Sequence, residues 1–178
     1  MLFSPVAVKT TKHVDFEIFV TLRVVDRVAL TARQTITERL GYGEMVEDLT
    51  RRDYYRLGVA GDEDEGLDYL RKIVETTTLF ANPNKETFSV ELFHRPLSRE
   101  RRHVALVYPH EGLFDEPLCR HLALDLGFDR IVAAGRGVAW TIQLAPGVEE
   151  KYVEEILVAR ERARGLLVNP HAEKYELA

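Results

Sequence analysis

The pattern of apolar and polar residues changes its period along the first forty residues. Apolar side chains occupy every second position from Phe16 to Leu22, and this alternation predicts a β-strand with one buried face. The spacing then widens to four residues through Ala32, Ile36 and Leu40, which predicts a helix. Gly41 follows directly, at the position where a left-handed residue commonly ends a helix.

The rest of the first half predicts a second helix and three further strands. Acidic residues at positions 62–65 favour a helix start, because they complement the positive end of the helix dipole. Asn82 and Pro83 end that helix, since the residue before a proline is pushed out of the helical region. The strands are predicted at residues 46–49, 53–60 and 87–92.

The second half predicts the same order of elements. A strand at 104–108 precedes a helix marked by Leu118, Leu122 and Leu126 and stopped by Gly127. Residues 130–134 and 138–144 are interpreted as a hairpin around Gly135, Arg136 and Gly137. A helix after residue 146 buries one apolar face that includes Ala163. Asn169 and Pro170 end this helix, and residues 174–177 form the closing strand.

Two markers recur at nearly the same offset. The Asn-Pro pairs at Asn82 and Asn169 are 87 positions apart (169 − 82), and Gly41 and Gly127 are 86 apart (127 − 41). Two separate markers in the same order indicate a duplicated unit of half the chain length.

We therefore predict an α+β protein made of two ferredoxin-like β-α-β-β-α-β units that form a pseudo-two-fold dimer within one chain. The first repeat is assigned to residues 1–93 and the second to residues 103–178. Residues 94–102, which are rich in charge, are interpreted as the linker.

Composition restricts the function classes. The net charge of −5 argues against a nucleic-acid partner, because neither half has the basic excess that phosphates require. No apolar stretch is long enough to span a bilayer, so no membrane partner is expected. Cys119 is the only cysteine, which excludes an internal disulfide and fits a cytoplasmic protein.

The residues that catalysis would need do not form a known pattern. The sequence has no phosphate-binding glycine loop, and none of its six histidines stands at a paired metal spacing. We predict no catalytic, cofactor-binding or metal-binding residue. Gly135, Arg136 and Gly137 could cradle an anion with backbone amides, although a simple hairpin turn is the favoured interpretation.

The order helix, Asn-Pro, strand, preceded by a Leu-Gly helix end, resembles the PurS family, the small subunits of phosphoribosylformylglycinamidine synthase. The matching pieces are residues 79–83 with 88–90, and residues 166–170 with 175–177. Residues 135–142 also resemble the second-strand turn of the family, whereas the first half has Arg51, Arg52 and Asp53 at that place. An ordinary PurS subunit is a single unit that pairs with a second copy, so this chain resembles the two subunits of such a dimer joined in tandem in one polypeptide.

The resemblance implies a non-catalytic assembly subunit of purine biosynthesis. Its expected partners are the ATP-using synthetase subunit and the glutaminase subunit, which it would bridge, and self-association is also expected. The candidate structural or interface residues are Asn82, Pro83, Asn169, Pro170, Gly135, Arg136 and Gly137. The alternative is a free-standing regulatory module that binds a small metabolite between two ferredoxin-like units.

Overall fold

In a computed structural model of the chain, residues 12–93, 97–158 and 165–178 are described, and they form one six-stranded antiparallel sheet with four α-helices. The mixed α+β class is as predicted. The strand order across the sheet is β3-β1-β2-β5-β4-β6. The strands are β1 His13–Leu22, β2 Val46–Ala60, β3 Glu86–Leu92, β4 Arg102–Pro109, β5 Ile131–Leu144 and β6 Glu173–Leu177, and the helices are α1 Arg27–Gln34, α2 Glu63–Thr76, α3 Glu116–Arg120 and α4 Tyr152–Leu157.

The prediction of two strands at the centre of each half, joined by a hairpin in the second half, is wrong, because each pair is a single long strand. β2 and β5 contain 15 and 14 residues, so each half has the order β-α-β-α-β within the described chain. Gly135, Arg136 and Gly137 lie inside β5, opposite Arg56, Tyr55 and Tyr54 of β2.

The two glycines of β5 mark a close approach of main chains and not a turn. A Cβ atom on Gly135 would lie 2.5 Å from the carbonyl oxygen of Leu113, and one on Gly137 would lie 2.4 Å from that of Val107. Glycine inside a strand is typical where another backbone approaches this closely. Gly135 and Gly137 therefore do mark a special backbone position, but the reason is a close contact between main chains and not the predicted turn.

The strand pairing has the pattern of a two-fold axis at the centre of the sheet. Asp53 of β2 lies opposite Val138 of β5, and these two positions differ by 85 (138 − 53). On one side of this pair Arg51 lies opposite Trp140, and on the other side Tyr55 lies opposite Arg136. Arg51 and Arg136 also differ by 85 (136 − 51), as do Tyr55 and Trp140. The register therefore makes Arg51 and Arg136 equivalent positions.

Two hydrophobic cores lie on the helix-bearing face, and each contains residues of both halves. In core A, Ile36 of the segment that follows α1 packs with Ile142 of β5 and Ile156 of α4. In core B, Leu122 of the segment that follows α3 packs with Phe16 of β1 and Leu70 of α2. The first helical segment of each half is thus buried in a core dominated by strands of the other half.

The ends of the first helical segments are equivalent as well. A π-helical turn follows α1 at Thr35–Arg39 and α3 at His121–Asp125. Gly41 and Gly127 then adopt φ of 82° and 75°, the left-handed region where a side chain would be strained. The predicted glycine stops are confirmed.

The assigned repeat boundaries, 1–93, 94–102 and 103–178, stay a prediction. Residues 94–96 of the linker lie outside the described residues, as does Ala163, which was predicted to be buried. Within the described part of the linker, Arg99 and Arg102 exchange backbone hydrogen bonds of 2.7 and 2.6 Å and close a tight turn at the start of β4.

Candidate functional site

The Asn-Pro segments form matching turns. The Oδ1 atom of Asn82 accepts a hydrogen bond from the amide of Asn84 at 3.0 Å, and Oδ1 of Asn169 accepts one from the amide of His171 at 3.1 Å. In both turns the backbone amide of the asparagine donates to a glutamate four residues further on, Glu86 at 2.6 Å and Glu173 at 2.8 Å. These bonds form equivalent turns around Pro83 and Pro170, and a role of the turns in an interface stays a prediction. The predicted helix ends at Asn82 and Asn169 are wrong, because α2 already ends at Thr76 and α4 at Leu157.

The equivalent arginines of β2 and β5 each pair with the aspartate that caps a helix. Asp26 accepts hydrogen bonds from the first amides of α1, and Arg51 lies 3.6 Å from its carboxylate. Asp115 caps α3 through the amide of Leu118, and Nε of Arg136 lies 3.3 Å from its carboxylate. Each cap therefore links the start of a helix to the centre of the sheet.

The two arginines differ in their second neighbour. Arg51 also donates to Asp53 at 2.7 Å, and its side chain is 25% exposed. The position equivalent to Asp53 in β5 is Val138, which offers no carboxylate. Asp115 is the one acid paired with Arg136 among the described residues, and the Arg136 side chain is 67% exposed. The second half thus retains an arginine with unused hydrogen-bond donors.

Arg136 lines a concavity of about 450 Å³ between the two halves of the chain. Asp53 and Tyr55 belong to the first half, and Tyr55 lies directly opposite Arg136 in the sheet. Burial raises the pKa of the Tyr55 hydroxyl, and the charge of Asp53 raises it further. The remaining lining residues come from the second half: Val107, Tyr108, Pro109, Gly137, Val138, Ala172 and Glu173.

Exposed apolar residues concentrate around α1. The side chain of Val28 is 57% exposed, although Ala29 and Ala32 of the same helix are buried in core A. Next to Val28, the segment at Leu166 and the indole of Trp140 border a groove of about 560 Å³. We call this region the α1 surface, and define it by Leu22, Val24, Val25, Val28, Leu30 and Leu166, all of which are exposed.

A buried polar pair lies on the opposite face of the sheet, against which no helix of the described residues packs. Tyr54 donates a hydrogen bond to Glu17 at 2.8 Å, and the Tyr54 ring packs 5.3 Å from that of Phe19. The guanidinium of Arg52 lies 4.2 Å from the centre of the Phe19 ring. Burial raises the pKa of Glu17, while the hydrogen bond from Tyr54 lowers it. This arrangement is a packed layer with its polar groups bonded to one another.

Among the described residues, no cluster of three or more His, Cys, Asp or Glu side chains is placed to hold a metal ion. Cys119 packs against core B, and burial raises the pKa of its thiol, which makes it a poor nucleophile. Tyr54 and Trp140 are buried, and Tyr55 packs edge-on against Phe80 at 5.1 Å, so these aromatic residues belong to the packing of the protein.

Sequence reasoning missed two features of this region. The expected hairpin obscured the equivalence of Arg51 and Arg136, which appears only when both strands are aligned as continuous segments. The second missed feature is the α1 surface. The sequence does indicate it, because the apolar residues at positions 24, 25, 28 and 30 fall outside the buried stripe formed by Ala29, Ala32 and Ile36.

No protein-family model matches the chain, and no curated protein matches it. Within the described ranges, none of the helices combines the length and apolar character that crossing a membrane would require.

Proposed function

We propose that this chain is a non-catalytic assembly subunit of phosphoribosylformylglycinamidine synthase and joins the synthetase subunit to the glutaminase subunit in the cytoplasm. In this proposal the two halves are diverged PurS-like, ferredoxin-like units, paired as in a dimer. The strand order, in which β5, β4 and β6 mirror β2, β1 and β3, and the matching Asn turns support this relationship.

The observation that carries the proposal is the α1 surface. Five of its exposed apolar residues lie within nine consecutive positions, from Leu22 to Leu30, and Leu166 borders the same groove as Val28. A concentration of exposed apolar residues of this kind is typical of a protein–protein contact. Arg27 borders the same groove, so a partner that places an acidic residue beside an apolar anchor would match it.

The test is a reconstitution with purified synthetase and glutaminase subunits. We expect this chain alone to show no ATPase, glutaminase or amidotransfer activity. Added to the two subunits, it should raise glutamine-dependent synthesis more than ammonia-dependent synthesis, since a bridge serves the transfer of ammonia. Equal glutamine-dependent rates with and without the chain would reject the proposal.

A variant localises the contact. Val28→Glu places a charge in the groove that Val28 shares with Leu166 and should remove most of the stimulation while leaving the melting temperature within a few degrees of wild type. Leu124→Glu is the matched control, because Leu124 is 74% exposed and lies in the segment after α3, away from the α1 surface. Loss of stimulation in both variants would indicate a general effect of added charge and not a docking site.

A further inference from the structure

We propose that the concavity beside Arg136 binds a small zwitterionic amino acid, with the carboxylate of the ligand on Arg136 and its ammonium group facing Asp53 and Glu173. This proposal is independent of the assembly function, since the concavity and the α1 surface have no lining residue in common.

The internal duplication supplies the comparison on which the proposal rests. Arg51 and Arg136 occupy equivalent positions, and each contacts the aspartate that caps the nearby helix. Only Arg51 has a second carboxylate, that of Asp53, at 2.7 Å. Val138 occupies the equivalent position in the second half, so the guanidinium of Arg136 is left without this second acid.

An arginine that is held by one carboxylate and has no second one is suited to bind a planar anion. Its guanidinium has donors on three nitrogens, of which Nε faces Asp115 at 3.3 Å. The cap also fixes the arginine, because Asp115 is itself held by the amide of Leu118 at 2.9 Å. A carboxylate accepts the remaining donors in the two-bond geometry that arginine favours.

The acids in the same concavity determine the rest of the ligand. Asp53 and Glu173 both line it, and Glu173 is positioned by the amide of Asn169, to which its Oε2 is bonded at 2.8 Å. A phosphate dianion would meet two carboxylates and one arginine that is already paired, so it is disfavoured. An ammonium group next to a carboxylate matches this distribution of charge.

The walls set the size and polarity of the ligand. Val107, Pro109 and Val138 provide apolar surface, and the ring of Tyr55 borders the concavity opposite Arg136. A volume of about 450 Å³ is within the range of small-molecule sites, which combine apolar walls with a few polar groups.

The experiment is isothermal titration of the full chain at neutral pH with the common L-amino acids, acetate and inorganic phosphate as separate probes. We expect at least one amino acid to bind, acetate to bind more weakly because it lacks the ammonium group, and phosphate not to bind. Absence of binding by every amino acid, or tighter binding of phosphate, would overturn the proposal.

Three variants locate the site. Arg136→Gln removes the anion contact, and Val138→Asp recreates the acid that occupies Arg51 in the other half. Each should weaken binding by about tenfold or more, since a hydrogen bond between charged groups is lost. Arg120→Gln is the control and should bind like wild type, because Arg120 is 66% exposed, much as Arg136 is, and does not line the concavity. Melting curves confirm that each variant is folded, and unchanged affinity in a folded Arg136→Gln chain would refute the assignment.

Discussion

Tyr54 donates a hydrogen bond of 2.8 Å to Oε1 of Glu17, and both side chains are only 1% exposed. Burial raises the pKa of Glu17 above its ordinary value of 4.5, and burial, together with the charge of Glu17, raises the pKa of Tyr54. The pair therefore ties the stability of the sheet to pH through a single carboxyl group.

The sign of this dependence follows from proton linkage. Because the pKa of Glu17 is raised in the folded state, the folded protein retains a proton that the unfolded chain releases above pH 4.5. The stability contributed by Glu17 should therefore be greatest in acid and fall as the pH rises from 4.5 through the raised pKa. Urea unfolding of wild type and Glu17→Gln at a series of pH values from 4.5 upward measures this contribution, which is the difference in unfolding free energy between the two proteins.

Tyr54→Phe provides the internal check on that measurement. The tyrosine hydroxyl lowers the pKa of Glu17, so its removal should raise that pKa further and widen the pH range over which stability falls. A stability difference that is independent of pH in both comparisons would contradict the assignment of the effect to Glu17.

Gly137→Ala tests the close approach of β4 and β5. The added Cβ would lie 2.4 Å from the Val107 carbonyl oxygen, which belongs to the strand ladder and cannot rotate away. We expect a loss of about 3 kcal/mol in unfolding free energy, at the upper end for overpacking. Gly127→Ala is the comparison, because its Cβ meets open space and only its φ of 75° is strained, at a cost of about 1 kcal/mol. Chemical denaturation of both variants gives the order, and the reverse order would show that β4 can move.

Asn169→Ala tests the second Asn turn. The side chain accepts one hydrogen bond from the amide of His171, and its loss should cost about 1 kcal/mol and lower the melting temperature. Asn84→Ala is the control, because Asn84 contributes its backbone amide to the first turn and that amide is retained in the variant. If Asn169→Ala melted like wild type but no longer stimulated the reconstituted synthase, the turn would be a recognition element instead.

The sequence predicted local structure well and the sheet centre poorly. The alternation in β1, the glycine stops at Gly41 and Gly127 and both Asn turns depend on neighbouring residues, and all of them appear in the structure. The continuity of β2 and β5 depends on pairing between residues far apart in the chain. Residues 50–52 fall between two predicted strands, but in the structure they continue β2 and cross the region between cores A and B, where the sheet does not need an apolar side chain.

The candidate site was predicted less completely for the same reason. Arg136 was identified through its flanking glycines, whereas its relation to Asp115 and Val138 requires the register of β5 against β2. The ion pair with Asp115 joins residues 21 positions apart (136 − 115), on different elements, which no periodicity in the sequence encodes.

The exchange of helical segments between halves predicts that neither half folds alone. Ile36 is fully buried in core A against Ile142 and Ile156, and Leu122 is fully buried in core B against Phe16 and Leu70. A fragment of residues 1–93 would expose the core A face of its first helical segment, and a fragment of 103–178 would expose the core B face of its own. We expect neither fragment to give a cooperative melt as a monomer, because each lacks most of one core.

Circular dichroism of the two fragments, separately and mixed in equal amounts, measures this, and mixing should restore the helical signal and a cooperative transition. A full-length chain with a protease site inserted after Glu100, in the tight turn between Arg99 and Arg102, is the control, since cutting there leaves cores A and B complete and should change the melting temperature little. Cooperative unfolding of either fragment as a monomer would show that the repeats are independent domains.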